Sequence, residues 1–163
     1  MSLALLILLL VTLQRLSELW IARRNTQWLI ERGGKEAAPE HYPLIVVLHA
    51  AWLVGLWIFA HGQPTSLFWL GLFILLQAAR FWVLATLGRR WTTRIIVLPR
   101  APLVASGPFR YVSHPNYCVV VAEIFVLPMV FGLVWYAVLF SILNAVILTI
   151  RVRAENDALA ATS

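Results

Sequence analysis

The sequence predicts an all-α membrane protein, a single domain over residues 1–163 built as a bundle of about five transmembrane helices. The first observation is the composition, in which 61% of residues are hydrophobic and only 12% are charged, far from the values of a soluble domain. A chain this small cannot hide so much apolar surface in its own interior. The second observation is that the apolar residues fall into long segments separated by short polar connections. A lipid bilayer is therefore the expected solvent.

Five apolar segments are candidates for membrane spans. They cover residues 3–21, 43–60, 66–87, 117–131 and 133–150. The last two are separated only by Gly132, so they should form a tight helical hairpin. The fourth is short for a full crossing at about 1.5 Å per residue, and Pro128 should kink it or end it early. Residues 95–98 are apolar but too short to span, and they predict a strand-like or re-entrant piece lying against the membrane face.

Lysine and arginine alternate between the connections. They are concentrated in residues 22–42, in residues 88–116 and in the tail after residue 150, whereas residues 61–65 and the turn at Gly132 carry none. Basic connections are retained on the cytoplasmic side, so the N-terminus is expected outside and the C-terminus in the cytoplasm. The net charge of +6 therefore indicates topology and attraction to anionic membrane lipid, and not a nucleic-acid partner.

Charged side chains inside predicted spans are costly and are functional candidates for that reason. Arg15 and Glu18 lie three residues apart on one helix face and can form an ion pair that locks the bundle. Arg80 has no acidic residue close to it in sequence, so it either pairs with Glu18 or holds an anionic group of a substrate. Glu123, in the fourth segment, could pair with an arginine of the loop before it.

Residues 107–117 form a polar island immediately before the hairpin. Pro115 is expected in the first turn of the fourth helix, with His114 at the capping position. The unpaired backbone N–H groups of such a turn form a ready anion site, which His114 and Arg110 would strengthen. Taken alone, the same pattern is also what an ordinary helix start requires.

A second cluster, Arg151, Arg153 and Glu155, lies where the fifth segment leaves the membrane. Arg151 and Glu155 are four residues apart and share a helix face. Because the last two segments form a hairpin, the start of one adjoins the end of the other, and both residues should meet His114 and Tyr117. Such a site offers cationic donors for a carboxylate, a carboxylate for hydroxyls or an ammonium, and aromatic faces for a purine or a sulfonium.

These motifs resemble those of the isoprenylcysteine carboxyl methyltransferase family of integral-membrane enzymes. The residues that carry the resemblance are Gly107-Pro-Phe109, Ser113-His114-Pro115-Asn116-Tyr117 and Arg151-Val-Arg153-Ala-Glu155, joined by the predicted hairpin. The match covers the C-terminal third of the chain. Ser113 stands where the family usually has an arginine, and Arg110 lies three residues earlier.

The resemblance implies S-adenosylmethionine as the methyl donor, bound on the cytosolic side. The residues implied in binding it are His114, Pro115, Asn116, Tyr117, Arg151, Arg153 and Glu155. It also implies a lipophilic acceptor that arrives from the bilayer. The family name suggests the carboxyl of a prenylated cysteine, and a long-chain phenolic or pyrone-type lipid is equally compatible with such a small bundle.

Methyl transfer from a sulfonium requires alignment and desolvation more than a strong acid. A carboxylate acceptor is already ionised and needs only positioning, for which the candidates are Arg80, Arg94 and Arg110. A phenol or enol acceptor gains from a general base, for which the candidates are His114 and Glu123.

Two alternatives stay open at this level. One is an NADPH-dependent membrane reductase of the sterol or enone type, in which related C-terminal hairpins bind a nicotinamide cofactor. The other is a non-enzymatic membrane subunit whose polar clusters are only caps and ion pairs. Four scattered histidines and the single Cys118 lack the spacing of a metal site, so no metal is expected.

Overall fold

The structure, a computed structural model, describes residues 2–99 and 101–160. Within these ranges the chain forms five α-helices and one short two-stranded sheet. The helices are α1 (Leu3–Ile30), α2 (Tyr42–Phe59), α3 (Leu67–Leu87), α4 (Pro115–Val130) and α5 (Val134–Ala160). Four of these described helices are long and apolar enough to cross a membrane, and α4 is a shorter apolar helix. The all-α membrane fold predicted from the sequence is confirmed.

Two helices extend well beyond the predicted membrane spans. The first span was expected to end at residue 21, but α1 continues to Ile30. The fifth was expected to end at residue 150, but α5 continues to Ala160. Both extensions are polar, and polar residues such as Arg, Gln and Glu favour helix as strongly as many apolar ones. Hydropathy therefore marks where the chain leaves the apolar environment, and it does not mark where the helix ends.

The predicted hairpin is formed by α4 and α5, joined through a turn in which Gly132 has φ of +70°. Helix α4 continues two residues past Pro128 and ends at Val130. With 16 residues it is about 24 Å long. The backbone N–H of Ser66 donates to the carbonyl of Val130 at 2.8 Å, so the start of α3 and the end of α4 lie at the same level.

A small antiparallel sheet lies at the opposite end of the bundle. Strand β1 (Lys35–Glu36) pairs with β2 (Ile96–Val97), with Lys35 opposite Val97 and Glu36 opposite Ile96. The strand-like piece predicted at residues 95–98 is therefore confirmed. We call this end of the bundle the loop end. It carries the sheet, the connection 88–114 and the C-terminal part of α5.

The hydrophobic core occupies the half of the bundle away from the loop end. Its largest buried side chains come from α1, α2 and the end of α4, and include Leu8, Trp52, Leu56, Leu127 and Phe131. Many large apolar side chains on the outer faces are exposed, as expected for a lipid-facing surface. Because the core fills only one half, the other half is free to hold a cavity.

Candidate functional site

A cavity of about 480 Å³ lies in the loop-end half of the bundle. Its walls come from α1, α2, the second half of α3, the connection 90–97, the start of α4 and the end of α5. This volume is within the usual range for small-molecule sites, roughly 300–1,000 Å³. The cavity runs from a polar cluster at the loop end, through apolar walls, to charged side chains deeper in the bundle.

The polar cluster joins the start of α4 to the end of α5. His114 caps α4 and Pro115 occupies its first turn. The hydroxyl of Tyr117 donates to Oε2 of Glu155 at 2.6 Å. The rings of His114 and Tyr117 are stacked, with centroids 5.5 Å apart, and Nε2 of His114 lies 3.2 Å from Oδ1 of Asn156. The hairpin thus places an imidazole, a phenol and a carboxylate in direct contact.

Arg151 and Asn116 complete the cavity wall beside this cluster. Arg151 is buried, and its guanidinium donates to the backbone carbonyl of Thr93 at 2.9 Å, which ties the connection 90–97 to α5. The side-chain oxygen of Asn116 is buried and has no hydrogen-bond partner within the described residues. An acceptor left unpaired in a cavity wall is costly unless a ligand supplies the missing donor.

Three predicted site residues from the two polar clusters of the sequence do not line the cavity. Pro115 is buried and faces a separate groove between α3 and α4. Arg110, at the end of the 3₁₀ turn Gly107–Arg110, is exposed, and so is Arg153. Arg94 does line the cavity, where its guanidinium contacts Glu36 at 2.7 Å and stacks over the ring of Tyr42.

A buried ionic network lies deeper, between α1, α3 and α4. Arg80 donates to both carboxylate oxygens of Glu18 at 2.7 Å and to Glu123 at 2.9 Å. Arg15 donates to Glu18 and to Glu123, both at 2.9 Å. Of the two interpretations of Arg80, the structure shows the pairing with Glu18. The expected partner of Glu123 was wrong, because arginines of α1 and α3 hold it and no loop arginine does so among the described residues.

Two glutamines close this network. Gln77 donates to Oε1 of Glu123 at 2.8 Å, and Gln14 donates to the side-chain oxygen of Gln77 at 2.7 Å. Gln14 also donates to Glu18 at 3.0 Å. Every carboxylate oxygen of the network is therefore hydrogen-bonded. Arg15, Glu18 and Arg80 line the cavity, whereas Glu123 lies behind them.

His49 of α2 and the connection 90–97 line the cavity, and of these residues the sequence motifs pointed only to Arg94. His49 is the only ionisable residue in the predicted span 43–60, and that isolation was a usable signal. The rest of the connection carries no comparable pattern, and its link to α5 is made by a backbone group, the carbonyl of Thr93 that accepts from Arg151.

One wall of the cavity is open to the lipid-facing surface. Leu16 and Leu19 of α1 and Val46 of α2 line the cavity, yet they are 59%, 40% and 39% exposed. The gap between α1 and α2 therefore connects the interior sideways with the surroundings of the bundle. In the described ranges, no group of three or more His, Cys, Asp or Glu side chains is arranged to hold a metal ion.

The fold and the cavity define a multi-pass membrane protein with a small-molecule site at one end of its helices. Residues 69–161 match the isoprenylcysteine carboxyl methyltransferase (ICMT) family, and the match covers more than half of the chain. The chain belongs to this family and is a membrane methyltransferase. The matched region contains the whole polar cluster and also Ser113, which lines the cavity at the position where an arginine is usual.

Two curated relatives cover nearly the full chain. The uncharacterized protein YpbQ of Bacillus subtilis is 38% identical over 160 residues, which are 94% of this chain and 95% of the relative. An uncharacterized protein of Haemophilus influenzae is 28% identical over 151 residues, 89% of this chain and 88% of the relative. No solved structure gives a significant match.

Proposed function

We propose that the protein transfers the methyl group of S-adenosylmethionine to an oxygen atom of a lipophilic acceptor, either a carboxylate or a hydroxyl. The observation that carries this proposal is one continuous cavity that joins the His114, Tyr117 and Glu155 cluster to a lipid-exposed wall. A methyltransferase acting on a lipid needs both a polar site for its donor and an apolar route for its acceptor.

The polar cluster fits the methyl donor in its chemistry. The guanidinium of Arg151 is suited to a carboxylate, and the carboxylate of Glu155 to an ammonium or to ribose hydroxyls. The stacked rings of His114 and Tyr117 offer faces for a purine or a cation. The side-chain oxygen of Asn116 has no hydrogen-bond partner within the described residues and can accept one from a ligand. When bound, the donor supplies an electrophilic methyl group on a positively charged sulfur.

The opposite part of the cavity fits an apolar acceptor. Leu19, Ile45 and Leu53 contribute aliphatic walls to the cavity that the polar cluster and the ionic network also line. The exposed gap between α1 and α2 lets a membrane-dissolved chain enter without passing through water. Burial of that chain excludes water from the reacting oxygen, and holding both reactants in one cavity supplies the alignment that a displacement reaction needs.

The distribution of charge supports a cytosolic orientation of this site. The loop end carries the basic connections, and the turns at the other end carry no lysine or arginine. Soluble S-adenosylmethionine would then reach the polar cluster from the cytosol, while the acceptor arrives from the bilayer.

The test is donor binding to the purified protein in lipid nanodiscs. S-adenosylmethionine should bind, and Glu155→Gln should raise the dissociation constant at least roughly tenfold, since a hydrogen bond to a charged group contributes about 1.5–3 kcal/mol. Asp157→Asn, an exposed carboxylate on the same helix outside the cavity, is the matched control and should bind as the wild type does. Binding of NADPH without S-adenosylmethionine would indicate a reductase and overturn the proposal.

The acceptor is identified by incubating membranes that contain the protein with S-adenosylmethionine labelled in its methyl group. A labelled lipid should appear with the wild type and be absent with Glu155→Gln. Absence of any labelled lipid in membranes where the wild type binds the donor would contradict a lipid acceptor.

A further inference from the structure

His49 occupies an unusual place in α2. It lines the cavity about two helical turns below Tyr42 at the loop end, roughly 10 Å along the helix axis. Every other residue between 43 and 60 is non-ionisable. An ionisable group at this depth is costly in a lipid-facing helix and is retained where it serves a function.

A backbone contact sets the tautomer of His49. Its Nδ1 lies 2.8 Å from the carbonyl oxygen of Ile45. A carbonyl oxygen only accepts hydrogen bonds, so Nδ1 carries the proton and the neutral ring keeps its lone pair on Nε2. Within the described residues Nε2 has no hydrogen-bond partner. The cavity wall thus contains a ring nitrogen whose lone pair has no partner within the described residues.

The other candidate bases are already engaged. Glu123 is 2% exposed, lies outside the cavity lining and accepts hydrogen bonds from Arg15, Gln77 and Arg80. Protonating it would break buried ion pairs, which is strongly unfavourable. His114 lies in the polar cluster, where Nε2 contacts Asn156 and Nδ1 is 3.9 Å from Oε2 of Glu155. In His49 only Nδ1 has a partner, the carbonyl of Ile45.

The charges around His49 also select the acceptor. In the network, the two positive charges of Arg15 and Arg80 are balanced by the two negative charges of Glu18 and Glu123. A permanently ionised carboxylate would therefore enter this part of the cavity without an uncommitted counter-charge, at a high desolvation cost. A neutral hydroxyl enters at much lower cost and becomes charged only as its proton leaves.

We propose that His49 is the general base of the reaction and that the acceptor is a weakly acidic hydroxyl, a phenol or an enol, on a lipophilic chain. This inference rests on the proposed methyltransferase function. In the step, the acceptor oxygen forms a bond to the methyl carbon of the sulfonium donor. The carbon–sulfur bond breaks and its electron pair stays on sulfur, which becomes a neutral thioether. The hydroxyl proton passes to Nε2 of His49 and later leaves to water at the loop end.

The first test uses the cofactor-free protein and a long-chain nitrophenol, whose anion absorbs visible light. The absorbance of the bound nitrophenol is followed against pH in wild type and in His49→Gln. The charges that act on His49 are those of Arg15, Arg80 and Glu123. The other charged side chains of the cavity wall are Glu18, Arg90, Arg94, Arg151 and Glu155. All of them are unchanged in the variant. Because a protonated imidazole beside the phenolate favours its ionised form, the ionisation constant should be at least roughly tenfold higher in wild type. Identical titrations would overturn the inference.

The second test compares methyl transfer to a long-chain phenol and to the matching nitrophenol at a pH where only the latter is ionised. His49→Gln should lower kcat/KM for the phenol by about 10²–10⁴, and should lower it far less for the nitrophenol, which needs no base. Activity on the nitrophenol also shows that the variant is folded. His61→Gln, an exposed histidine outside the cavity, is the control.

The outcomes separate the two proposals. If the wild type neither binds S-adenosylmethionine nor methylates any of these acceptors, the methyltransferase proposal is wrong. If His49→Gln lowers kcat/KM equally for the phenol and the nitrophenol, the role of His49 is wrong. If the wild type methylates a prenylcysteine carboxylate faster than either phenol, the acceptor class is wrong. Should His49→Gln fail to fold, phenol methylation by His49→Ala is measured with added imidazole, where rescue supports the inference and its absence contradicts it.

Discussion

Arg80 is the residue on which the buried network depends most. Its guanidinium makes three hydrogen bonds to the two carboxylates Glu18 and Glu123, and each is 2.9 Å or shorter. Planar guanidinium geometry suits this bridging role, which a lysine ammonium cannot reproduce. The sequence placed Arg15 and Glu18 on one helix face correctly, since that face follows from helical periodicity. The sequence could not reveal that Glu123 joins this pair, because the partners of Glu123, Arg15 and Arg80, lie 108 and 43 residues away along the chain.

Replacing Arg80 should therefore destabilise the protein strongly. Arg80→Leu leaves two buried carboxylates with one arginine between them, and breaking a buried pair in this way costs about 3–5 kcal/mol. The measurement is reversible unfolding of the purified protein in detergent.

Arg23→Leu is the matched control for that experiment, because Arg23 is exposed near the loop end of α1. It should change the free energy of unfolding by less than about 0.5 kcal/mol. An equally small effect of Arg80→Leu would contradict the structural importance of the network.

At the scale of elements, the α4–α5 hairpin is what creates the polar cluster. It places the first turn of α4 beside the last turns of α5, so Tyr117 reaches Glu155 across 38 residues of sequence. The turn requires Gly132, whose φ of +70° lies in a region that L-residues with a side chain avoid. No heavy atom would come within 4 Å of an added Cβ there, so the cost of substitution is backbone strain alone.

Gly132→Ala should destabilise the hairpin by about 1–2 kcal/mol. Gly71→Ala is the matched control, because Gly71 is in the interior of α3 and an added Cβ there also meets open space. That change should stabilise by roughly 0.5–1 kcal/mol through helix propensity. Thermal unfolding of both variants measures the difference. Equal shifts in Tm would show that the positive φ at Gly132 does not limit which residue the turn accepts.

At the scale of the whole molecule, the charge pattern predicts which end of the bundle faces the cytosol. All basic connections meet at the loop end, so the turn containing His61 should lie outside and the end of α5 inside. With Cys118→Ser as background, His61→Cys in intact cells should react with a membrane-impermeant maleimide and Asp157→Cys should not. Permeabilised cells provide the control, in which both variants should react. The reverse pattern would place the candidate site outside the cell.

The sequence by itself predicted the all-α membrane fold, the helical hairpin and the meeting of His114 and Tyr117 with Glu155. These depend on hydropathy, proline and glycine positions and helical periodicity, which are local properties of the chain. The tertiary structure alone decided which buried charges meet, where the cavity lies and that His49 and the connection 90–97 line it. Such contacts join segments dozens of residues apart, and they arise from the packing of helix faces against one another. The residues next to a position in the sequence do not predict that packing.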